Sequence, residues 1–220
     1  GNQLAKPLFA VFLSDSNAET SEITFGDVVS DHMGSEFIWV NVTSPSGYWE
    51  VQIDDITLDT DPQSLCEDCR VAVDTGTSQL AGPTHVVNKL TRLLNVQSDC
   101  SNYARLPNLG FVIGGHILFL SPSDYVDRTE DHSFCDVSLM PLDVPPPKGP
   151  LFVFGIPFLQ KYYTVYDHER MQVGFAVAKH AGREPEALVA LPPGALVGHQ
   201  RGSGLRRRLQ KFRQDHLGHT

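Results

Sequence analysis

The chain has 220 residues, of which 41% are hydrophobic and 20% are charged, and its formal net charge is −9. This hydrophobic content is sufficient for a folded core and no apolar run reaches membrane-spanning length, so the composition argues against a disordered or membrane-spanning chain. The charge is uneven, because residues 1–180 carry a net charge of −13 and residues 181–220 one of +4. An acidic body argues against a nucleic acid as a partner.

The first sixty residues predict a series of short β-strands. Apolar or alternating segments recur at short intervals, and turn-forming residues separate them; the segments are 8–13, 23–25, 37–42, 48–53 and 56–58. This spacing is typical of an all-β body and not of alternating strands and helices. The N-terminal residues lack the charged and apolar blocks of a signal peptide, so none is expected within this sequence.

Residues 71–78 combine a buried strand with a polar turn. Val71 to Val73 predict a core strand, and Asp74-Thr75-Gly76-Thr77-Ser78 follows it directly. Gly76 has no Cβ and so permits a close approach of backbone or ligand. Thr77 and Ser78 can donate hydrogen bonds to a carboxylate. An aspartate at a strand end is most often a turn cap, so Asp74 alone does not specify a catalytic site.

The second half of the chain predicts further strands around one main helix. A helix is expected at 84–94, with Thr84 as its cap and an apolar face formed by Val86, Val87, Leu90, Leu93 and Leu94. Strands are expected at 109–113, 117–120 and 151–155, short helices at 121–125 and 157–161, and a hairpin at 163–176. Pro145-Pro146-Pro147 predicts a stiff, extended loop, and residues from 181 onward predict a mobile extension.

Four cysteines and one sequon bear on the compartment. Cys66 and Cys69 form a Cys-x-x-Cys pair, whereas Cys100 and Cys135 are far apart in sequence. A zinc site needs a second close pair, and a thioredoxin-like motif needs a βαβ context; neither is present. Two disulfides in a secretory protein are the favoured interpretation. Asn41-Val42-Thr43 predicts glycosylation at Asn41.

These motifs together resemble the C-terminal lobe of pepsin-like aspartic proteases over residues 6–178. The resemblance rests on the Asp74 loop, on Leu80-Ala81-Gly82-Pro83 after it, on Gly47-Tyr48-Trp49, and on the apolar strand that ends at Gly155. It implies that this strand crosses under the Asp74 loop as part of a ψ-shaped motif. The segment 142–150, Leu-Asp-Val-Pro-Pro-Pro-Lys-Gly-Pro, is similar to the proline loop of cathepsin D and renin. Gly155-Ile156 replaces the usual Gly-Asp, which resembles the apicomplexan plasmepsin and toxomepsin branch.

The resemblance implies a fold and a set of site residues. The fold is all-β with short helices, and it forms the C-terminal lobe of a bilobal protease at 1–180, followed by a basic extension at 181–220. Asp74 is then catalytic, with support from Thr75, Gly76 and Thr77. The substrate-binding residues are Gly76, Thr77, Ser78, Tyr48, Leu142, Val144 and Val153. The resemblance also implies the disulfides Cys66–Cys69, one residue shorter than the usual pair, and Cys100–Cys135.

The sequence contains half of the active site that such catalysis requires. Two carboxylates must share a proton, but Asp54, Asp55 and Asp167 have no Thr-Gly or Ser-Gly after them, and the flap tyrosine of the N-terminal lobe is absent. The predicted function is therefore peptide hydrolysis at acidic pH together with an N-terminal lobe, without cofactor or metal, in a secretory, acidic or extracellular compartment.

Two other functions and the basic tail are left open by the sequence. The chain could form a homodimer with one Asp74 per subunit, as in retropepsins, or a non-enzymatic binding protein on the same scaffold. If the tail forms a helix, its sequence would put Leu205, Leu209 and Phe212 on one face beside five basic residues. This segment predicts either a disordered extension or contact with the acidic body or with anionic lipid.

Overall fold

The computed structural model describes residues 4–43, 47–66 and 69–191, and within these ranges the chain is mainly β. The described strands, numbered in chain order, are β1 Leu8–Phe12, β2 Glu22–Phe25, β3 Ile38–Asn41, β4 Glu50–Ile53, β5 Asp55–Leu58, β6 Asp61–Pro62, β7 Cys69–Val73, β8 Leu80–Gly82, β9 Leu109–Ile113, β10 His116–Leu120, β11 Val126–Arg128, β12 Cys135–Val137, β13 Leu139–Pro141, β14 Phe152–Phe154, β15 Tyr162–Asp167, β16 Gln172–Val177 and β17 Val189–Ala190. The predicted all-β class with short helices is confirmed.

Three α-helices connect these strands: α1 Thr84–Leu94, α2 Pro122–Tyr125 and α3 Ile156–Lys161, with 3-10 turns at Ser30–His32 and Tyr103–Arg105. Helix α1 buries Val86, Val87, Leu90 and Leu94, whereas Leu93 is 42% exposed. Leu93 therefore lies at the edge of the predicted apolar face, and the other four residues form its buried part. None of the helices in the described ranges is long and apolar enough to cross a membrane.

The cap of α1 also differs from the prediction. Thr84 is the first helical residue and not the cap. Its backbone N–H and its hydroxyl donate to the two carboxylate oxygens of Asp143, at 2.9 and 2.7 Å. These two hydrogen bonds hold the pKa of Asp143 below its usual value of 3.8. A residue 59 positions away thus satisfies the start of the helix and ties it to the segment before the prolines.

We expect Asp143→Ala to lower the melting temperature of the chain at pH 6. The pKa of the Asp143 carboxyl is lower in the folded chain than in the unfolded chain, so its hydrogen bonds stabilise the fold. This stabilisation is complete when the pH is above the pKa of the unfolded chain, and it is lost as the pH falls through the pKa of the folded chain. The difference in melting temperature between this variant and the native chain should therefore become smaller well below pH 3.8. Thermal unfolding at both pH values tests this, with the exposed Asp127→Ala on β11 as the control. A difference of equal size at both pH values would contradict it.

The strands form three five-stranded sheets and one two-stranded pair, β11–β12, in the described part of the chain. The first sheet has the order β2-β1-β15-β16-β3 and is antiparallel throughout. The second has the order β17-β10-β9-β5-β6, and the third has the order β13-β8-β14-β7-β4. In the third sheet β14 runs parallel to β7 and antiparallel to β8, and it lies between them. This third sheet carries the Asp74 loop.

An aromatic cluster supports the third sheet from behind. Phe154 in β14 stacks on Phe158 in α3 with ring centroids 3.8 Å apart, and Phe158 is fully buried. Tyr162 and Phe175 contact the same ring at 4.7 and 5.6 Å. Burial of rings of this size dominates the stability of a core of this kind. The cluster fixes the position of β14 within the third sheet, and with it the position of the Asp74 loop that β14 contacts.

Two disulfides are present, Cys66–Cys69 and Cys100–Cys135, as expected. The predicted extension from residue 181 begins along the body: Arg183 pairs with Asp15, Lys161 pairs with Glu186 at 2.7 Å, and β17 adds to β10. The basic segment 205–213 lies outside the described residues, so the predictions about it stay untested.

Candidate active site

The Asp74 loop connects β7 to β8. Strand β14 lies between these two strands and passes through the loop. β7 delivers Asp74 from the fully buried Val71 to the surface within three residues. The Asp74 N–H donates to the carbonyl of Phe154 at 3.0 Å, and the Ile156 N–H donates to the carbonyl of Thr77 at 2.9 Å. The backbone of residues 154 and 156, at the end of β14 and the start of α3, therefore holds the loop at Asp74 and at Thr77. The ψ-shaped crossing implied by the resemblance is present.

Gly155 is the position where this crossing is tightest. A Cβ at this residue would lie 2.2 Å from the carbonyl oxygen of Thr77 and 2.3 Å from that of Gln79. Both are backbone atoms, so no side-chain rotation could relieve the clash. Glycine at 155 is therefore a requirement of the loop geometry, and any side chain there would displace the segment that carries Asp74.

The carboxylate of Asp74 is exposed and held by two hydrogen bonds. The backbone N–H of Gly76 donates to Oδ1 at 2.9 Å, and the hydroxyl of Thr77 donates to Oδ2 at 2.7 Å. A Cβ on Gly76 would lie 3.3 Å from Oδ1, which is tighter than an ordinary contact. Thr75 and Ser78 are exposed, and within the described residues Ser78 makes no hydrogen bond to Asp74. Each carboxylate oxygen thus has one local donor, and its outward side stays open.

Aromatic residues lie behind Asp74. Tyr166 of β15 stacks on Phe9 with centroids 4.4 Å apart and meets Trp49 edge-on at 5.4 Å. Its hydroxyl is buried and has no hydrogen-bond partner within the described residues. Burial and the nearby charge of Asp74 together raise the pKa of Tyr166, so the phenol stays neutral. An unpaired buried hydroxyl costs about 1–3 kcal/mol of folding free energy.

We expect Tyr166→Phe to leave the free energy of unfolding of this chain unchanged or to raise it by about 1 kcal/mol, because the substitution removes a buried group without a partner. Tyr125→Phe is the matched control, since the buried Tyr125 donates to the carbonyl of Pro107 at 2.6 Å. The control should lose about 1 kcal/mol or more. Denaturant unfolding measures both variants, and an equal loss for the two would contradict the prediction.

The predicted substrate-binding side chains fall into two groups. Tyr48 is 46% exposed, and Leu142 and Val144 are half-buried in the segment that follows β13. Leu142 is fixed by its N–H bond to the carbonyl of Gly82 at 2.7 Å. Val153 is different: it is only 7% exposed and pairs with Ala72 and Ala81 within the sheet. Its burial favours a supporting role and not direct contact with a ligand.

Three residues of this region were not anticipated from the sequence. Arg70 pairs with the fully buried Glu50 at 2.9 Å and also donates to the carbonyl of Lys148 at 3.0 Å. Lys148 holds its ammonium 4.8 Å from the centre of the Tyr48 ring. The pairing of β4 with β7, which places Gln52 opposite Arg70, could have indicated the ion pair between Arg70 and Glu50. The contact between Lys148 and Tyr48 depends on the path of the proline loop, which no local pattern gives.

Other charged groups are accounted for elsewhere in the fold. Asp55 accepts hydrogen bonds from the N–H groups of Ile56, Ser64 and Leu65, and burial raises its pKa. Among the described residues, Asp15, Glu19 and His180 are the one group close enough to share a metal ion. These groups already contact one another and the body of the chain, because Asp15 pairs with Arg183 and Glu19 contacts the ring of His180. Asn41 is exposed, and its side-chain oxygen accepts from Gln172 at 2.9 Å.

Comparisons with known proteins agree with the family resemblance found in the sequence. The family model "Eukaryotic aspartyl protease" matches residues 1–178. The chain is 35% identical to plasmepsin VI of Plasmodium berghei over 192 residues, which are 81% of this chain and 43% of that protein. It is 34% identical to cathepsin E of Rattus norvegicus over 188 residues, which are 80% of this chain and 47% of that protein.

A similar result is obtained with pepsin A of Bos taurus, at 31% identity over 181 residues, 79% of this chain and 48% of that protein. The chain therefore spans about half the length of the curated relatives it matches. The identity to plasmepsin VI, 35%, and that to cathepsin E, 34%, are nearly equal, so the branch indicated by Gly155-Ile156 stays a prediction.

Proposed function

This chain belongs to the eukaryotic aspartyl protease family, and on that premise we propose that it supplies one of the two carboxylates of a peptide-cleaving site. Asp74 is the proposed catalytic residue, and the chain as a whole is the proposed C-terminal lobe of an endopeptidase. The second carboxylate would come from an N-terminal lobe. The support for this is that the chain matches about half of its relatives' length and contains one Asp-Thr-Gly sequence.

One observation carries the proposal most directly, namely the way in which Asp74 is held. Its two oxygens accept from the Gly76 N–H and from the Thr77 hydroxyl, and its outward side is open. Such fixed donors hold a carboxylate in a single orientation, which proton transfer to and from a bound water requires. An aspartate that served only as a turn cap would not need a strand threaded through its loop.

The proposed chemistry follows from placing a second carboxylate opposite this one. Two carboxylates about 3 Å apart cannot both ionise, so they share one proton. The ionised member takes a proton from a bound water, whose oxygen attacks the peptide carbonyl, and the protonated member donates to the carbonyl oxygen. Thr75 is exposed and is proposed to bond across the interface between the two lobes. The reaction needs no metal or cofactor.

Substrate contacts are proposed for residues around the open side of Asp74. Gly76, Thr77 and Ser78 would bond the backbone of an extended peptide, and Tyr48, Leu142 and Val144 would contact its side chains. Val153 would support the sheet from within, because it is buried. The two disulfides favour an oxidising compartment, so we place the protein in the secretory pathway, an acidic vesicle or the extracellular space.

The test is peptide hydrolysis by this chain combined with the N-terminal half of its protease. Both halves are refolded together and assayed between pH 3 and pH 6 with a broad peptide library. We expect cleavage within the peptides, and mass spectrometry of the products gives the cleaved bonds. Absence of cleavage across this pH range, from a complex shown to be folded and of equal stoichiometry, would contradict the proposed function.

A further inference from the structure

Lys148 presents a positive charge beside Tyr48, one of the residues proposed to contact the substrate. Its ammonium lies 4.8 Å from the centroid of the Tyr48 ring and 3.4 Å from the Tyr48 hydroxyl. Across residues 4–43, 47–66 and 69–191, no carboxylate forms an ion pair with this lysine. A cation held over an aromatic ring keeps a defined position and still has donors free for a second partner.

The register of the sheet places Tyr48, which this lysine contacts, opposite Asp74. β4 and β7 are antiparallel, with Glu50 opposite Ala72, and the N–H of Val73 donates to the carbonyl of Trp49 at 3.0 Å. Tyr48 therefore lies opposite Asp74, one residue beyond the paired strands. Side chains opposite each other on antiparallel strands share a face. Tyr48 and the lysine above it thus lie on the face to which the Asp74 carboxylate is exposed.

The segment that carries Lys148 is fixed to the body of the sheet. The Arg70 guanidinium donates to the carbonyl of Lys148 at 3.0 Å while it pairs with the fully buried Glu50. The adjoining Gly149 is buried so closely that a Cβ would lie 1.7 Å from the carbonyl oxygen of Val144. The backbone that follows the Lys148 side chain is therefore held by a hydrogen bond and by a close backbone contact.

We propose that Lys148 is a specificity-determining residue that selects peptides with a carboxylate side chain near the scissile bond. The inference rests on the proposed protease function and adds a substrate class to it. An extended peptide advances about 3.3 Å per residue, so a glutamate two or three residues from the cleaved bond reaches about 10 Å from the catalytic centre. A charged hydrogen bond from the lysine to that glutamate would then stabilise the bound peptide.

The test compares paired peptides that differ only by glutamate or glutamine at one position within three residues of the cleaved bond. The assay uses the two-lobed enzyme at pH 5.5, where a peptide glutamate is ionised. At one position, kcat/KM should be about three- to fivefold higher for the glutamate peptide, the range of a solvent-accessible ion pair. Lys148→Met should bring this ratio close to one, and Lys148→Arg should retain most of it.

Lys89→Met is the matched control, because this exposed lysine lies on α1 outside the proline loop and should leave the ratio unchanged. If the enzyme cleaves both peptides of every pair equally well, the proposed selectivity is wrong although the protease function stands. The proposed selectivity is also wrong if Lys148→Met keeps the kcat/KM ratio of the glutamate peptide to the glutamine peptide at the native value. If no peptide of the library is cleaved, the protease function itself fails, and the selectivity fails with it.

Discussion

Asp74→Asn in the two-lobed protein is expected to lower kcat by at least about 10³-fold, because an amide cannot take the proton of the attacking water or share a proton with a second carboxylate. In the variant the amide oxygen can accept from the Gly76 N–H, and the amide NH2 can donate to the hydroxyl oxygen of Thr77, which accepts as well as donates. The loop should therefore stay folded. The variant separates the chemistry of the carboxylate from its structural bonds.

The measurement is single-substrate kinetics on one peptide that the native enzyme cleaves well, with the melting temperature recorded for each variant. Asp54→Asn is the control, since this aspartate has no Thr-Gly after it and, in the part of the chain that the structure describes, its carboxylate accepts only from Gln52, at 3.2 Å. It should keep kcat within a few fold of the native value. A kcat for Asp74→Asn within tenfold of the native value, at unchanged stability, would show that Asp74 is not catalytic.

Removal of the Cys100–Cys135 disulfide is expected to have the largest effect on stability. The bridge joins residues 35 positions apart and so closes a long loop that includes β9 and β10. In the chain-entropy account, a loop of this length contributes about 3–4 kcal/mol by restricting the unfolded chain. Cys135 is also buried at 2% exposure, so its replacement should be by alanine, which adds no polar group. Denaturant unfolding of Cys100→Ala/Cys135→Ala under oxidising conditions gives the loss.

Cys66→Ala/Cys69→Ala provides the matched comparison. This bridge spans only three positions, and the same account gives it about 2 kcal/mol. We therefore predict that removal of Cys100–Cys135 lowers the free energy of unfolding more than removal of Cys66–Cys69 does. A loss for the short bridge that equals or exceeds that of the long one would contradict it.

The sequence predicted the elements that a local pattern defines. The apolar strand before Asp74, the helix at 84–94 and the hairpin of β15 and β16 are confirmed, because hydrophobic periodicity and turn residues mark each within a few positions. The resemblance added what no local pattern contains, namely that the strand ending at Gly155 passes through the Asp74 loop. That Asp74 is catalytic stays a prediction.

The features that the sequence did not reveal depend on residues far apart in the chain. Thr84 was expected to cap its own helix, but the carboxylate of Asp143 does so from a different loop. The contact between Lys148 and Tyr48 joins residues 100 positions apart and requires the proline loop to fold back over β4. No pattern of neighbouring residues encodes contacts of this kind.

A homodimer with one Asp74 per subunit remains the principal alternative for an active site built from this chain. The helix α1 follows the loop directly after β8, where the short retropepsin-like chains place a flap instead. The two arrangements differ in how activity depends on concentration. A homodimer becomes active as the concentration of one chain rises, whereas a site shared with an N-terminal lobe needs both components in equal amounts.

The most direct test of the central claim is therefore a titration of peptide hydrolysis at acidic pH against the ratio of the two halves. This chain is first assayed alone up to high micromolar concentration, and the N-terminal half is then added stepwise. If Asp74 is one carboxylate of a site shared by two lobes, the chain alone has no activity, and turnover rises to a plateau at one N-terminal half per chain. Turnover by the chain alone, increasing with the square of its concentration, would contradict the claim.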